Sequence, residues 1–140
     1  MAMPKTCQGC PYYDPAGRFI PDEMNPKAEV HIIKLSPGYN EVKLGQHDPG
    51  PLARGIRLAG LNEWSSGHLL RCKIPAKPRG NSAAWEAKVR RAAKVCNQYT
   101  TLPDVPIITV GKEVFEFYDD DPARAGIYSW RGFRCQVEVD

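Results

Sequence analysis

Four cysteines in three separate parts of the chain are the feature that most restricts how it can fold. Cys7 and Cys10 form a C-x-x-C pair near the N-terminus, and Cys72 and Cys96 follow much later. Thiolates bind metals, and a C-x-x-C pair on a tight loop is the usual first half of a tetrahedral sulfur site. The pattern predicts one metal centre that ties the three segments together, with an iron–sulfur cluster or zinc as its metal.

Other uses of the cysteines are weaker interpretations. Cys135 makes their number odd, which a fully paired disulfide framework would not leave. The first ten residues lack the apolar core of a secretory signal, and no apolar run approaches the roughly 20 residues that span a bilayer. We therefore expect a soluble, cytoplasmic protein, in which disulfides are rare. Taken singly, Cys72 and Cys96 would be interpreted as small buried hydrophobes, as Cys135 is.

The order of predicted elements indicates one α/β domain. A chain of 140 residues, 42% apolar and 25% charged, suffices for a single core. Residues 1–28 are rich in Pro, Gly, Asp and Asn, and we expect an irregular arm that needs something to tie it down. Apolar patterns predict strands at 30–35, 68–73, 106–110 and 136–139, and helices at 52–61, 83–99 and 112–118. Strands that alternate with helices predict a mainly parallel sheet.

Positive charge is concentrated in the middle of the chain, although the net charge is only +3. Between residues 71 and 94 a single acid, Glu86, stands against these cations: Arg71, Lys73, Lys77, Arg79, Lys88, Arg90, Arg91 and Lys94. Residues 113–121 are acidic instead. Cations on a loop can hold DNA phosphates without reading the bases, but surface cations often only solvate a loop. Charge therefore permits a nucleic-acid partner without requiring one.

Four short motifs occur along the chain in a recognisable order. They are Cys7-Gln-Gly-Cys10-Pro11, residues 30–38 followed by Glu41 and Gly45, residues 70–75 with Arg79 and Cys96, and residues 105–112 with Arg131-Gly132. In this order they resemble the CxxCP, GExPGxxE, KCRPPxNR…C and LGxxA/RG motifs of the iron–sulfur uracil-DNA glycosylases, the family 4 and 5 branch of that superfamily. The resemblance implies a three-layer α/β/α fold with a mainly parallel central sheet of about four strands. It also implies a [4Fe–4S] cluster on Cys7, Cys10, Cys72 and Cys96, with zinc as the alternative.

Positions that do the chemistry in that family carry other residues here. Leu35 stands at the acidic position of the GExPG loop, Asp48 near the aromatic position that stacks on a flipped base, and His68 at the asparagine that reads the pyrimidine. The family's C-terminal HPS motif has no counterpart before Asp140. Base excision needs an extruded, gripped base and stabilised charge at the sugar. We therefore expect a degenerate pocket and no ordinary uracil excision.

The predicted function is a non-catalytic, [4Fe–4S]-binding DNA-interaction domain of a replication or repair protein. The equivalent loop of the resembled family runs along the DNA backbone, so the predicted DNA contacts are Arg71, Lys73, Lys77 and Arg79. The chain ends soon after the Arg-Gly element, and we expect a fragment similar to the inactive glycosylase-like domains that precede some bacteriophage DNA polymerases. Polymerase or exonuclease domains of the same parent chain would then be its partners.

Two alternatives come from other functional classes. An active glycosylase would use His68 or Asp48 on uracil or on a modified base. A zinc-stabilised module would bind proteins and no nucleic acid. The residues themselves favour simpler roles. His68 would be a hydrogen-bonded residue at the end of a strand, and His47 and Asp48 would lie in a solvated turn.

Overall fold

A computed structural model describes residues 2–48 and 50–119 of the chain. Its elements in chain order are a 3₁₀ turn at Lys5–Cys7, β1 at Val30–Lys34, α1 at Tyr39–Leu44, α2 at Pro51–Leu58, β2 at Trp64–His68, α3 at Ala83–Cys96, β3 at Ile107–Thr109 and α4 at Lys112–Tyr118. The predicted strand at 136–139, Cys135 and the Arg131-Gly132 pair lie outside the described residues. No helix in the described ranges is long and apolar enough to cross a membrane.

The described strands form one parallel sheet in the order β2-β1-β3, with β1 in its centre. His31 of the middle strand is aligned with Ser65 of β2 and with Ile107 of β3. Parallel neighbours cannot be joined by a tight hairpin, so α1 and α2 connect β1 to β2, and α3 connects β2 to β3. The predicted α/β class and parallel sheet are confirmed, with three strands between residues 2 and 119 against about four expected in the whole chain.

Apolar side chains cover both faces of the sheet, because successive residues of a strand point to opposite sides. On one face Val30 and Ile32 pack with Ile56 of α2. On the other face Ile33 joins the larger core, which draws on the segment after β2 and on α3 and α4. Its other buried members are Leu69, Leu70, Ile74, Val89, Ala92, Ala93 and Val114. A layer of helices thus lies on either side of the sheet.

β2 lies four residues before its predicted position at 68–73. That prediction followed two leucines, whereas the strand itself consists largely of small polar residues. At one edge of β2, the backbone of Ser66 exchanges two hydrogen bonds of 2.9 Å with Glu23 of the arm. The other edge of β2 pairs with β1. Hydrogen-bond partners that are distant in the chain can thus stabilise a polar segment as a strand, and they leave no local pattern in its sequence. As a result Cys72 follows the strand in a bend and does not close it.

The other predicted elements between residues 30 and 118 are confirmed, with small shifts at their ends. α3 begins where expected and ends at Cys96, where the side-chain amide of Asn97 donates to the carbonyl oxygen of Ala93 at 2.8 Å. α4 has its predicted bounds. α1 was not predicted, because its residues were assigned to the loop of the GExPGxxE motif.

The arm before β1 is fastened along the outer side of β2. The backbone N–H of Ile20, a residue that is 1% exposed, donates to the carbonyl oxygen of Arg71 at 2.7 Å. Asp22 then passes so close to β2 that a Cβ atom on Gly67 would lie 2.8 Å from its carboxylate oxygen Oδ1. That distance is well inside van der Waals contact, so the path of the arm requires glycine at position 67.

We expect Gly67→Ala to lower the free energy of unfolding by about 1–3 kcal/mol, as overpacking does. Asp22 cannot rotate away freely, because both of its carboxylate oxygens bind Arg71. Gly55→Ala is the matched control, since a Cβ there meets nothing within 4 Å and alanine is favoured over glycine in a helix by up to ~1 kcal/mol. Urea unfolding midpoints of the two variants should move in opposite directions. A Gly67→Ala protein as stable as the parent would contradict the close packing of the arm.

Candidate metal centre

The four cysteines of the predicted metal site line a single cavity. They are Cys7 at the end of the 3₁₀ turn, Cys10 just after it, Cys72 in the bend after β2, and Cys96 at the end of α3. All four are free thiols and partly buried. The fold therefore brings together the side chains that the sequence analysis grouped, although they come from segments far apart in the chain.

Local hydrogen bonds hold these segments next to one another. The backbone N–H of Cys10 donates to the carbonyl oxygen of Cys7 at 3.0 Å, and Gly9 between them has a φ of +93°, where glycine is favoured. The side-chain amide of Asn97 donates to the carbonyl oxygen of Leu69 at 2.9 Å. This bond places the end of α3 beside the bend that follows β2.

The surroundings of the thiols are mainly apolar. Besides the cysteines and Arg71, the cavity is lined by Met3, Tyr12, Tyr13, Phe19, Leu70 and Val95. Burial raises the pKa of Cys7 and Cys10, and it raises the pKa of Cys72 to about 12, with repulsion from the other cysteines adding to the effect. These three thiols therefore hold their protons at neutral pH, and a bound metal would replace the protons.

No three of the four cysteine sulfurs all lie within 4.8 Å of one another. Within the described ranges, one group of metal-ligating side chains has all its ligand atoms within 4.8 Å of one another, and that group contains no cysteine. Tetrahedral zinc with Zn–S bonds of ~2.3 Å requires sulfurs roughly 3.8 Å apart. A cluster of several metal ions suits wider spacing, because each thiolate binds a different ion.

Arg71 lies buried beside this cavity, whereas the sequence analysis expected it on a DNA-facing loop. Its Nε and Nη2 donate to the two carboxylate oxygens of Asp22 at 3.0 and 2.9 Å. Nη1 donates to the carbonyl oxygen of Cys96 at 2.7 Å and to its sulfur at 3.3 Å, and Nη2 also donates to Oγ1 of Thr100 at 3.0 Å. All five guanidinium N–H groups thus have partners inside the protein.

Arg71 stays protonated, and therefore positively charged, in this position. Burial by itself lowers the pKa of the guanidinium, but the hydrogen bonds and the attraction from Asp22 outweigh burial and raise that pKa. A positive charge therefore lies permanently within 3.3 Å of the sulfur of Cys96.

The other predicted DNA contacts lie on the surface and differ in what they touch. Lys73 is exposed, with its ammonium group over a tyrosine ring. Nζ of Lys77 binds the carboxylates of Glu86 and Glu113 at 3.3 and 2.9 Å. Arg79 is exposed and has no ion pair with any residue that the structure describes. Two of the four predicted contacts, Lys73 and Arg79, are therefore open to a phosphate.

A second basic surface lies on α3, where the sequence analysis counted the charges without assigning them to DNA. Arg90, Arg91 and Lys94 are exposed, and within the described part of the chain none of them is ion-paired. Lys94 is four and three residues from the other two, so the three side chains adjoin on the helix surface. The helical spacing was the signal in the sequence that could have identified them.

The three positions of the predicted degenerate pocket have ordinary structural roles. Leu35 packs against the core on the α3 side of the sheet. The carboxylate of Asp48 accepts a hydrogen bond from the N–H of Gly50, immediately before α2. His68 is 1% exposed, and its Nε2 lies 3.2 and 3.3 Å from the two carboxylate oxygens of Glu41. Leu35 and His68 thus lie inside the fold and Asp48 lies in the turn before α2, while Nδ1 of His68 is buried without a hydrogen-bond partner among the described residues.

Glu41 is the centre of a buried polar group at the carboxyl ends of β1 and β2. Lys34 and His68 are paired at the ends of these strands, and both contact its carboxylate, Lys34 through Nζ at 3.0 Å. The N–H groups of Gly38 and Asp48 donate to the same carboxylate at 3.1 and 3.0 Å. Ligands commonly bind at this end of a parallel sheet, and here the carboxylate of Glu41 is hydrogen-bonded by the protein itself.

His47 completes this group, although the sequence favoured a solvated turn for it. Its ring centroid lies 4.5 Å from that of His68. Its Nε2 lies 2.8 Å from the carbonyl oxygen of Pro21, which can only accept, so Nε2 carries the proton and Nδ1 accepts from the hydroxyl of Ser66 at 2.7 Å. Ligand atoms of Glu41, His47 and His68 lie within 4.8 Å of one another, so this group could hold a metal ion.

The pKa values of Glu41 and His68 are shifted in the same direction. Burial raises the pKa of Glu41, but the N–H groups of Asp48 and Gly38 and the side chain of Lys34 outweigh burial and lower it to about 2. Burial lowers the pKa of His68 to about 4, although the Glu41 carboxylate opposes this. At neutral pH the pair is therefore a carboxylate and a neutral imidazole.

Comparison with known proteins adds no assignment to these sites. No protein-family model matches the chain, and no curated protein matches it significantly. The resemblance to the iron–sulfur uracil-DNA glycosylases therefore stays a prediction, and the sites are interpreted from their own residues.

We expect acid to destabilise the fold through His68 first and Glu41 next. Free histidine binds a proton near pH 6.5, whereas His68 in the fold binds one only near pH 4. The unfolded state therefore binds more protons in this range, and the free energy of unfolding falls by roughly 3 kcal/mol as the pH drops from 6.5 to 4. Glu41, whose pKa is lowered from 4.5 to about 2, adds a further loss below pH 4.5.

His68→Gln should remove the first of these two losses and keep the second, because glutamine can donate to Glu41 but does not titrate. His31, whose pKa burial also lowers, acts in the same direction, so His31→Gln is the control that measures its share. Urea unfolding at a series of pH values gives the two slopes. An unchanged slope between pH 6.5 and 4.5 in the His68→Gln variant would contradict the assignment.

Proposed function

We propose that the chain is a non-catalytic, [4Fe–4S]-binding DNA-interaction domain of a replication or repair protein. The observation that carries the proposal is the convergence of Cys7, Cys10, Cys72 and Cys96 from three segments around one cavity. The described residues that line this cavity include no carboxylate and no imidazole. Thiolates alone are the ligand set of iron–sulfur clusters and of some zinc sites, and the finding that no three of these sulfurs all lie within 4.8 Å of one another favours the cluster.

The proposed cluster has a structural role. Two of its ligands lie on the arm and the other two on the bend after β2 and at the end of α3. When the ligands of a metal centre come from separate segments, its binding free energy adds to the free energy of folding. The cluster would therefore fix the irregular arm on the α/β core and supply no catalytic step.

The hydrogen bonding of Glu41 at the strand ends supports the absence of excision chemistry from this domain. The carboxylate of Glu41 accepts from two backbone N–H groups and contacts Lys34 and His68, which together use its four lone-pair sites. It therefore has no free lone pair to activate a water. Leu35, at the family's acidic position, is packed into the core.

Exposed cations supply the phosphate contacts in this proposal. Arg71 is omitted because its N–H groups are all used inside the protein, and Lys77 is omitted because two carboxylates neutralise it. Contacts of this kind hold DNA without reading its sequence. Polymerase or exonuclease domains of a longer chain would carry the chemistry. The proposed contacts are Lys73, Arg79, Arg90, Arg91 and Lys94.

Anaerobic purification tests the cluster. We expect a brown protein with four iron and four sulfide ions per chain, because four thiolates are the ligands of a [4Fe–4S] cluster. Cys72→Ser should lose most of the iron and loosen the arm, measured as faster proteolysis before residue 30. Cys135→Ser is the matched control and should keep its iron. A colourless protein with one zinc ion per chain would replace the cluster with the zinc-stabilised module.

Salt-dependent DNA binding tests the interface. Changing Arg90, Arg91 and Lys94 to Gln removes three charges from α3, and we expect the slope of log K against log salt to fall by roughly two to three. The matched control changes three exposed cations elsewhere to Gln: Lys27, Lys43 and Arg54. Equal losses in both triple variants would contradict a local interface.

Incubation with uracil-containing DNA tests the absence of catalysis in this domain. We expect no free uracil, because Leu35 stands at the family's acidic position and the Glu41 carboxylate already accepts from two backbone N–H groups and contacts Lys34 and His68. Release of uracil or of a modified base, abolished by His68→Gln, would establish the active-glycosylase alternative instead.

A further inference from the structure

One buried side chain connects all three segments that carry the cysteines. Arg71 binds Asp22 of the arm through two hydrogen bonds, it precedes Cys72 in the bend after β2, and it binds both the carbonyl oxygen and the sulfur of Cys96. We propose that Arg71 positions Cys96 for the metal centre and raises the reduction potential of the cluster bound there. This inference rests on the proposed function, because it concerns the same cysteines.

The positioning role follows from the geometry of the guanidinium. A bidentate pair with a carboxylate fixes the plane of the group, since two parallel N–H···O bonds form at once. Asp22 supplies that pair at 3.0 and 2.9 Å, and Thr100 receives a further N–H at 3.0 Å. The remaining nitrogen, Nη1, is then directed at Cys96, 2.7 Å from its carbonyl oxygen and 3.3 Å from its sulfur. The thiol is thereby oriented before any metal binds.

The backbone of Arg71 strengthens the same connection. Its carbonyl oxygen accepts the N–H of Ile20 at 2.7 Å, so the arm is attached to Arg71 through main chain as well as side chain. Ile20 is 1% exposed, which keeps this hydrogen bond away from water. Movement of the arm would therefore move the guanidinium of Arg71 and, through it, Cys96.

The effect on reduction potential follows from charge. On reduction the cluster gains one electron from the reductant, no bond breaks, and its charge becomes more negative by one. The N–H group of a buried cation, donating to a ligand sulfur, stabilises the more negative form and raises the potential. The carboxylate of Asp22 opposes this effect in part, because it lies beside the same guanidinium.

Two substitutions should shift the potential in opposite directions. Arg71→Gln removes the cation, and we expect the equilibrium constant for one-electron reduction to fall about tenfold, which is about 59 mV for a one-electron couple. Asp22→Asn keeps the cation and removes its counter-charge, so the potential should rise. Arg71→Lys keeps the positive charge but loses the planar, bidentate guanidinium group. The potential should therefore change less than in Arg71→Gln, while the rate of iron loss to a chelator increases. Arg54→Gln, on the exposed surface of α2, should change neither the potential nor the rate of iron loss.

The measurements are iron per chain, iron loss to a chelator, and the midpoint potential from a dithionite titration followed by electron paramagnetic resonance. Variants that load four irons and keep the parental potential and chelation rate would overturn the role of Arg71 while leaving the cluster intact. A potential that falls in Asp22→Asn would also overturn it, even if Arg71→Gln fails to fold. A parent protein without iron would instead refute the proposed function, and this inference with it.

Discussion

The ion pair between Arg71 and Asp22 is the interaction on which the position of the N-terminal arm depends. Burying a charged group is strongly unfavourable unless all of its hydrogen-bonding groups have partners. Here all five N–H groups of Arg71 donate a hydrogen bond within the protein. The pair fixes the arm against β2, where Gly67 leaves room for it, and it fixes the end of α3. The cavity lined by the four cysteines exists because these three segments meet.

The two groups of metal-ligating side chains differ in how their charge is balanced. At the strand ends, the ammonium group of Lys34 already lies 3.0 Å from the carboxylate of Glu41, so a metal ion there would compete with a cation of the protein. Among the described residues that line the cysteine cavity, Arg71 is the one cation, and it contacts one sulfur. Burial raises the pKa of Cys7, Cys10 and Cys72, and the protons of these thiols can be exchanged for metal ions. This difference supports the proposal that the cysteines, and not the group around Glu41, hold the metal.

The distribution of cations shows why a count of charges does not identify an interface. Arg71 and Lys77 belong to the most basic stretch of the sequence, yet one is buried in the arm contact and the other is held by two carboxylates. Glu113, which lies in the acidic stretch, is one of those carboxylates. The surface of α3 keeps its charge because the apolar side of the helix faces the core, and Arg90, Arg91 and Lys94 form no ion pair with any described residue.

Local patterns in the sequence determined much of the architecture of this protein. The β-branched run of β1, the apolar face of α3 and the bounds of α4 follow from periodicity and turn residues over a few positions, and together they specify a parallel α/β domain. The cysteine spacing also indicated which four thiols converge. The fourth strand and the likeness to the glycosylases stay predictions. Only the tertiary structure decided that a polar segment forms β2, that Arg71 is buried beside Cys96, and that His47 joins Glu41 and His68. Each of these depends on hydrogen bonds to residues far away in the chain, which leave no local pattern in the sequence.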